Sequence, residues 1–181
     1  MKYPKSMIPI ISVTAMILTA VASVGAGNKT AKDTTETTTG PSRIEWVAYD
    51  VGLELAEQQN KHLFVDFTTS WCGWCKKMER DTFSKPDVIK MVSDNFIAVR
   101  VDGDSPKELD IDGYKITEKN LTKHEFGVRG YPTFFFLKPD GKALSRISGY
   151  RDSKYMMQAF EYVKDYKYDT TGSSSTQKSG D

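Results

Sequence analysis

The stretch Phe64–Glu79, FVDFTTSWCGWCKKME, holds both cysteines of this 181-residue chain, Cys72 and Cys75. A strand-like apolar run precedes them, and a helix-like basic run follows. A thiol in the first turn of a helix faces unpaired backbone N–H groups and the positive end of the helix dipole, both of which favour the thiolate. Cys72 is therefore the predicted nucleophile. Cys75, one helical turn later, can attack a mixed disulfide formed at Cys72, so the pair can carry two electrons.

Two other roles for the cysteine pair are open from the residues alone. A structural zinc site needs four ligands, and the only further soft candidates are His62 and His124, isolated from each other and from the cysteines. We expect these histidines to be a strand-edge residue and a helix-surface residue. A fixed structural disulfide would close a loop too short to constrain much of the unfolded chain. The pattern therefore favours a redox pair and predicts no metal.

Asp66 is the first unusual residue outside the cysteine motif. It lies inside the apolar run His62–Phe67, where a central strand is expected to be buried. A buried carboxylate is costly unless it has a role or a partner. Because Asp66 precedes Cys72 by one strand end and one turn, we expect it beneath the start of the helix. Arg100, on the next predicted strand, is either the charge partner of this carboxylate or a surface arginine.

The cysteine motif, the aspartate and a downstream segment occur together in an order that resembles the thioredoxin superfamily. The downstream segment, FGVRGYPTFFFLKPDGK, carries a GxPT element followed by a strand, a turn and a strand. The resemblance covers nearly all of residues 42–166, and it is closest to periplasmic SoxW-type thioredoxins and to the C-terminal domain of transmembrane thiol:disulfide interchange reductases. It implies a thioredoxin fold and an exported dithiol oxidoreductase. In family terms Cys72 is the attacking cysteine, Cys75 the resolving one, Asp66 a buried proton acceptor and Pro132 a cis-proline. The redox-active group is then the Cys72–Cys75 disulfide itself, with no further cofactor.

Aromatic residues around the thiols suggest how a substrate binds. Trp71 and Trp74 offer large, flat, amphipathic faces that can seat a substrate segment at little entropic cost, although Trp71 can equally serve fold packing. A cis Tyr131–Pro132 bond would expose the Tyr131 backbone beside Cys72, where an extended peptide can add main-chain hydrogen bonds. These four residues are the predicted substrate-binding group.

The termini indicate the compartment. Residues 1–26 begin with lysines, continue as an apolar stretch and end in small residues, which predicts a signal peptide or an uncleaved membrane anchor. Residues 27–42 form a predicted flexible linker, residues 43–168 the thioredoxin-like domain, and residues 169–181 a disordered tail. Whether residues 1–26 are cleaved as a signal peptide or retained as an anchor, we expect the domain to face an extracytoplasmic space, periplasmic or external. The net charge of +1 indicates no nucleic-acid partner.

The coarse order of elements is helix, strand, helix, strand, long connection, helix, strand, hairpin, strand and helix. This order predicts an α/β fold with a mixed central sheet of four to five strands flanked by helices. The connection Asp102–Lys123 is longer than most in a compact domain. Its spaced aspartates invite a calcium site, but their order does not fit an EF-hand loop. We therefore expect a solvated insertion.

The residues and the resemblance together predict an extracytoplasmic thiol:disulfide oxidoreductase that reduces disulfides in exported proteins. Its expected electron donor is a membrane thiol:disulfide transporter, since an oxidising compartment cannot keep the pair reduced. Two alternatives stay open: a disulfide oxidase or isomerase, and a thioredoxin-fold binding or chaperone module without catalysis. The residues between the cysteines are Gly73 and Trp74, where ordinary thioredoxins have Gly-Pro and isomerases usually Gly-His. The motif therefore leaves the direction of electron flow open.

Overall fold

The computed structural model describes residues 40–170. The predicted signal peptide or anchor at residues 1–26, most of the linker at 27–42 and most of the tail at 169–181 lie outside these residues, so those domain boundaries stay predictions. Within the described range, no helix combines the length and the apolar character that crossing a membrane requires.

The described chain alternates helices and strands and adds a small hairpin. Its strands are β1 (His62–Thr68), β2 (Phe96–Asp102), β3 (Glu108–Ile111), β4 (Tyr114–Thr117), β5 (Thr133–Leu137) and β6 (Ala143–Ser148). Its helices are α1 (Tyr49–Gln59), α2 (Gly73–Met78), α3 (Pro86–Asn95), α4 (Glu118–Asn120), α5 (Ser153–Lys164) and α6 (Lys167–Thr170). The π-helical turns Glu79–Phe83 and Leu121–Glu125 extend α2 and α4.

The central sheet has four strands in the order β2-β1-β5-β6. β1 pairs with β2 in parallel, and the pairs β1–β5 and β5–β6 are antiparallel. The parallel pair follows from the helical crossover between β1 and β2, and the antiparallel pair β5–β6 follows from the tight turn between them. The chain therefore has the predicted α/β thioredoxin fold with a mixed, helix-flanked sheet.

β1 lies between two apolar clusters, which explains its nearly continuous apolar sequence. Alternate side chains point to opposite faces. Phe64 belongs to the cluster under α3 and α5, where its ring centroid lies 4.8 Å from that of Phe160. Leu63, Val65 and Phe67 belong to the cluster on the other face, which α1 covers. By the same alternation, Asp66 shares the face of Phe64, toward the helix that begins after the cysteine turn.

The connection between β2 and β5 differs from the prediction. Instead of a solvated insertion, β3 and β4 form an antiparallel hairpin that turns at Asp112 and Gly113, whose φ angles are 52° and 84°. Leu109 and Ile111 are buried against the cluster that α1 covers. The alternation of these apolar residues with exposed acidic ones is only four residues long, so the acidic composition concealed a half-buried strand.

Candidate active site

The turn between β1 and α2 sets the position of Cys72. The turn is closed by a hydrogen bond from Cys72 N to the Thr69 carbonyl, 3.1 Å long. Cys72 is the N-cap of α2, with the extended backbone of an N-cap, and its Sγ accepts a hydrogen bond of 3.0 Å from Cys75 N. A backbone N–H of the first helical turn therefore points at this sulfur, which favours a negative charge there once the sulfur is reduced.

Cys72 and Cys75 are joined by a disulfide, with Cα atoms 5.3 Å apart. The predicted pairing is therefore present. The two cysteines differ in exposure: Cys72 is only 4% exposed, whereas Cys75 is half-buried. As the N-cap, the Cys72 side chain folds back over the first turn of α2 to reach the Cys75 N–H. In the disulfide form, the predicted attacking cysteine is thus the less accessible of the two.

Asp66 is buried and forms an ion pair with Arg100. The Arg100 Nε lies 3.1 Å from Asp66 Oδ2, and the Arg100 Nη2 donates a hydrogen bond of 2.6 Å to Glu79 Oε2. The guanidinium also lies 4.0 Å from the ring centroid of Trp46. Arg100 is therefore the charge partner of Asp66 and not an unpaired surface arginine. This arrangement follows from the parallel register of β1 and β2, which sets Arg100 directly beside Asp66.

Burial determines the protonation of Asp66. Loss of water raises its pKa from the ordinary 3.8 to about 6, although Arg100 acts in the opposite direction. The second oxygen, Asp66 Oδ1, is buried and has no hydrogen-bond partner within residues 40–170. An acidic group with a pKa near neutrality and a free oxygen can accept and return a proton. Asp66 lies two residues before the end of β1, the strand that leads into the cysteine turn.

Trp71 and Trp74 are exposed next to the cysteines in the chain, and the ring of each contacts the ring of a tyrosine. Trp71 is 66% exposed and its ring centroid lies 5.9 Å from that of Tyr131, edge to face. Trp74 is 59% exposed and lies 5.7 Å from Tyr150. Both rings are thus large apolar groups that stay accessible to a binding partner, while Trp71 also packs against Tyr131. Tyr150 was missed from the sequence because it follows β6, far from the cysteine motif along the chain.

The Tyr131–Pro132 peptide bond is cis, as the resemblance implied. The Pro132 carbonyl accepts a hydrogen bond of 2.8 Å from Gly149 N, which ties this loop to the end of β6. Tyr131 packs against Gly103, where a Cβ would lie 1.9 Å from the phenol oxygen. Partial burial raises the pKa of Tyr131, and the carboxylates of Asp104 and Asp102 raise it further.

Asp104 is a second residue that the sequence analysis missed. Its Oδ2 accepts a hydrogen bond of 2.7 Å from Trp71 Nε1 and so holds the indole in place. The sequence could have indicated Asp104 through its position: it follows β2 directly, and the parallel strands β1 and β2 end at the same edge of the sheet as the cysteine turn. The acidic run around it was instead interpreted as part of a solvated insertion. Within residues 40–170 no group of three or more His, Cys, Asp or Glu side chains is arranged to hold a metal ion.

The two histidines lie elsewhere. His62 is at the opposite end of β1 from the cysteine turn, and its Nε2 is 2.6 Å from Tyr168 Oη. His62 is the first residue of β1, in agreement with its predicted place at the edge of a strand, and it is buried, with only 3% of its surface exposed. His124 is exposed on the π-helical turn after α4, in agreement with its predicted place on a helix surface.

Comparisons with known proteins agree with this geometry. The family model of the thioredoxin-like domain matches residues 49–164. Thiol:disulfide interchange protein DsbD of Photorhabdus laumondii is 33% identical over 116 residues, which cover 61% of this chain and 18% of that protein. Disulfide bond reductase DsbH of Chlamydia pneumoniae is 26% identical over 59% of this chain and 63% of its own length. The chain thus spans less than a fifth of the first relative and less than two thirds of the second.

A solved structure supports the fold independently. The thioredoxin from Thermus thermophilus superimposes with a TM-score of 0.60 at 23% identity, over 76% of this chain and 99% of that one. The strand order, the cysteine pair at the start of α2 and the family match lead to one assignment. The chain belongs to the thioredoxin-like family, and its domain is of the thiol:disulfide oxidoreductase type, related to DsbD and DsbH.

Proposed function

We propose that this protein is an extracytoplasmic protein-disulfide reductase that works by dithiol exchange through Cys72 and Cys75. The observation that carries the proposal is the hydrogen bond of 3.0 Å from Cys75 N to Cys72 Sγ at the first turn of α2. A helix start that donates to this sulfur stabilises its thiolate, and the thiolate is the reactive form in disulfide exchange. The relatives named as an interchange protein and a disulfide bond reductase support the same chemistry.

The exchange begins with the reduced protein. The Cys72 thiolate attacks one sulfur of a substrate disulfide, forms a mixed disulfide and releases the first substrate thiol. Cys75 then gives up its proton toward Asp66, directly or through a water, and attacks the Cys72 sulfur. This step releases the second substrate thiol and leaves the Cys72–Cys75 disulfide. Two electrons and two protons have passed to the substrate, and an external dithiol must supply them again.

The donor we propose is a membrane thiol:disulfide transporter, and the substrates are exported proteins with disulfides. The support is the relation to DsbD together with the predicted export segment at residues 1–26. Trp71, Trp74, Tyr131 and Pro132 form the proposed substrate surface, because Trp71 and Trp74 are exposed next to the cysteines in the chain and Trp71 contacts Tyr131.

The reduction potential of the Cys72–Cys75 couple tests the direction of electron flow. Equilibration of the purified protein with glutathione or dithiothreitol buffers, read by alkylation and mass, gives this potential. A value near that of thioredoxin, about −270 mV, is expected for a reductase. A value near about −120 mV would instead indicate a disulfide oxidase.

Asp104 provides a test of the proposed substrate surface. Asp104→Ala removes the acceptor of the Trp71 indole, so the ring loses its fixed orientation beside the disulfide. We expect a loss of about three- to fivefold in kcat/KM for insulin reduction, the scale of the net contribution of one ordinary hydrogen bond. Asp104→Asn is the matched control, because it keeps an oxygen acceptor and should lose less. Equal activity of wild type and Asp104→Ala would contradict a role for the orientation of Trp71.

A further inference from the structure

An open cavity of about 190 Å³ lies beside the cis-proline, between residues 130–133 and the end of β6. Residues 130–133 line one part of the cavity, and Arg146, Ser148 and Gly149 line the rest. Tyr131 also contacts Trp71, the residue before Cys72. A substrate segment that lies along the cis-proline would therefore extend into this cavity. The proposed function does not use Arg146, Ser148 or Gly149.

Most polar groups of the cavity already have partners. The Thr133 hydroxyl donates a hydrogen bond of 2.7 Å to the Gly130 carbonyl, and Gly149 N donates one of 2.8 Å to the Pro132 carbonyl. Arg146 differs, because only its Nε is engaged, in a hydrogen bond of 3.2 Å to Ser148 Oγ. Its terminal guanidinium nitrogens form no ion pair with any residue from 40 to 170. A planar cation with free donors thus lines the cavity.

Packing holds this guanidinium at the cavity. The Arg146 side chain lies over the Phe135 ring, with its central carbon 5.6 Å from the ring centroid. The antiparallel register sets Arg146 opposite Phe135 and Ser148 opposite Thr133, the residue that follows the cis-proline. Because Arg146 is exposed and already oriented, little freedom is lost when it binds a ligand.

The charges around the cis-proline are asymmetric. No acidic side chain of the described residues lines the cavity, and Arg129, exposed just before Gly130, forms no ion pair within the described part of the chain. On the other side of Tyr131 lie Asp104, which holds Trp71, and Asp102, which accepts a hydrogen bond of 3.0 Å from Asp104 N. A substrate that lies along the cis-proline loop thus meets Arg146 in the cavity and carboxylates beside Trp71.

We propose that the Arg146 cavity is a specificity subsite that binds an acidic side chain of the substrate, close in sequence to the disulfide under attack. This inference rests on the proposed disulfide exchange and adds the substrate class to it. A carboxylate matches the free edge of a guanidinium, and an Arg–carboxylate pair gives both affinity and orientation. Substrates with lysine at the same place would meet two arginines and be disfavoured.

Single-turnover oxidation of the fully reduced protein tests the subsite without any electron donor. The probes are cyclic peptides, each closed by one disulfide, identical except that the residues flanking one cysteine, on either side, are Glu, Gln or Lys. The fluorescence of Trp71 and Trp74 beside the disulfide follows the reaction. We expect the Glu peptide to react about fivefold faster than the Lys peptide at low salt, the factor of a partly exposed ion pair. Added salt should reduce this preference.

Variants separate the subsite from a general charge effect. Arg146→Gln should lower the Glu-to-Lys rate ratio to about twofold or less. Arg146→Lys keeps the charge but not the planar guanidinium, so its ratio should lie between those of the wild type and Arg146→Gln. Lys154→Gln, which removes an exposed cation of α5, should keep the wild-type ratio. A wild-type ratio near one, or a ratio unchanged in Arg146→Gln, overturns the subsite. A reduced protein that even the Gln peptide fails to oxidise overturns the proposed exchange itself, so the two failures are distinct.

Discussion

Cys72→Ala is expected to abolish disulfide reduction, with a loss of about 10³-fold or more in insulin turnover. The reason is that the thiolate at the start of α2 is the group that would form the bond to the substrate. Cys75 alone cannot replace it, because the helix N–H that stabilises a negative charge points at Cys72 Sγ. Turnover with dithiothreitol as donor, followed by insulin precipitation, measures the loss.

Cys75→Ser gives the complementary result. The mixed disulfide at Cys72 then has no resolving thiol, so the variant should accumulate a covalent adduct with disulfide substrates. Non-reducing gels and intact mass detect the adduct, and the double variant Cys72→Ser/Cys75→Ser is the control that should form none. Because Cys72 is the less accessible residue in the disulfide form, the trap also tests the assignment of the two roles. An adduct that forms through Cys75 in Cys72→Ser, and not through Cys72 in Cys75→Ser, would reverse them.

Asp66→Asn is expected to stabilise the oxidised protein at pH 8 by about 1–3 kcal/mol. The folded-state pKa of Asp66 is about 6 and its ordinary value is 3.8, so the folded protein holds a proton that the unfolded chain loses between about pH 4 and 6. Stability from this group is complete below pH 4 and is lost as the pH rises through 6. The difference of about two pKa units corresponds to about 3 kcal/mol, which is the upper limit of the gain and already includes the favourable pairing with Arg100.

Urea unfolding of the oxidised wild type and Asp66→Asn at pH 4, 6 and 8 measures this linkage. The stability gain should appear at pH 8 and largely vanish at pH 4. Asp81→Asn is a control of opposite sign, because Lys77 and Arg80 hold the pKa of the Asp81 carboxyl below its ordinary value, and its removal should not stabilise the protein at pH 8. A gain that is independent of pH would show that packing, rather than ionisation of Asp66, is responsible.

The same variant, Asp66→Asn, tests whether Asp66 accepts a proton during the exchange or has only a structural role. In the proposed exchange Asp66 accepts the proton of Cys75, so without the carboxyl group resolution of the mixed disulfide should slow by about 100-fold at pH 7. Formation of the mixed disulfide at Cys72 should be much less affected. Quenched-flow alkylation resolves the two steps. Equal slowing of both steps would indicate that Asp66 acts on the Cys72 thiolate instead of on Cys75.

The fold and the core of the site could be predicted from local patterns. The bounds of β2, β5 and β6 follow from apolar runs between turn residues, and the cysteine pair follows from its spacing. The hairpin β3–β4 could not be predicted in this way. Its alternation is too short to separate from the acidic surroundings, and its burial depends on α1, which precedes it by some fifty residues.

The sequence by itself determined the order of helices and strands, the cysteine pair at a helix start and the proline before β5. Each of these depends on residues within one or two turns of each other, where backbone preferences and spacing are sufficient. Only the tertiary structure decided that Arg100 pairs with Asp66, that Asp104 holds Trp71, and that Arg146 faces the cis-proline loop. The first two contacts join residues 34 and 33 positions apart. They depend on strand pairing and register, because the register selects which side chains meet, and no local pattern encodes that choice.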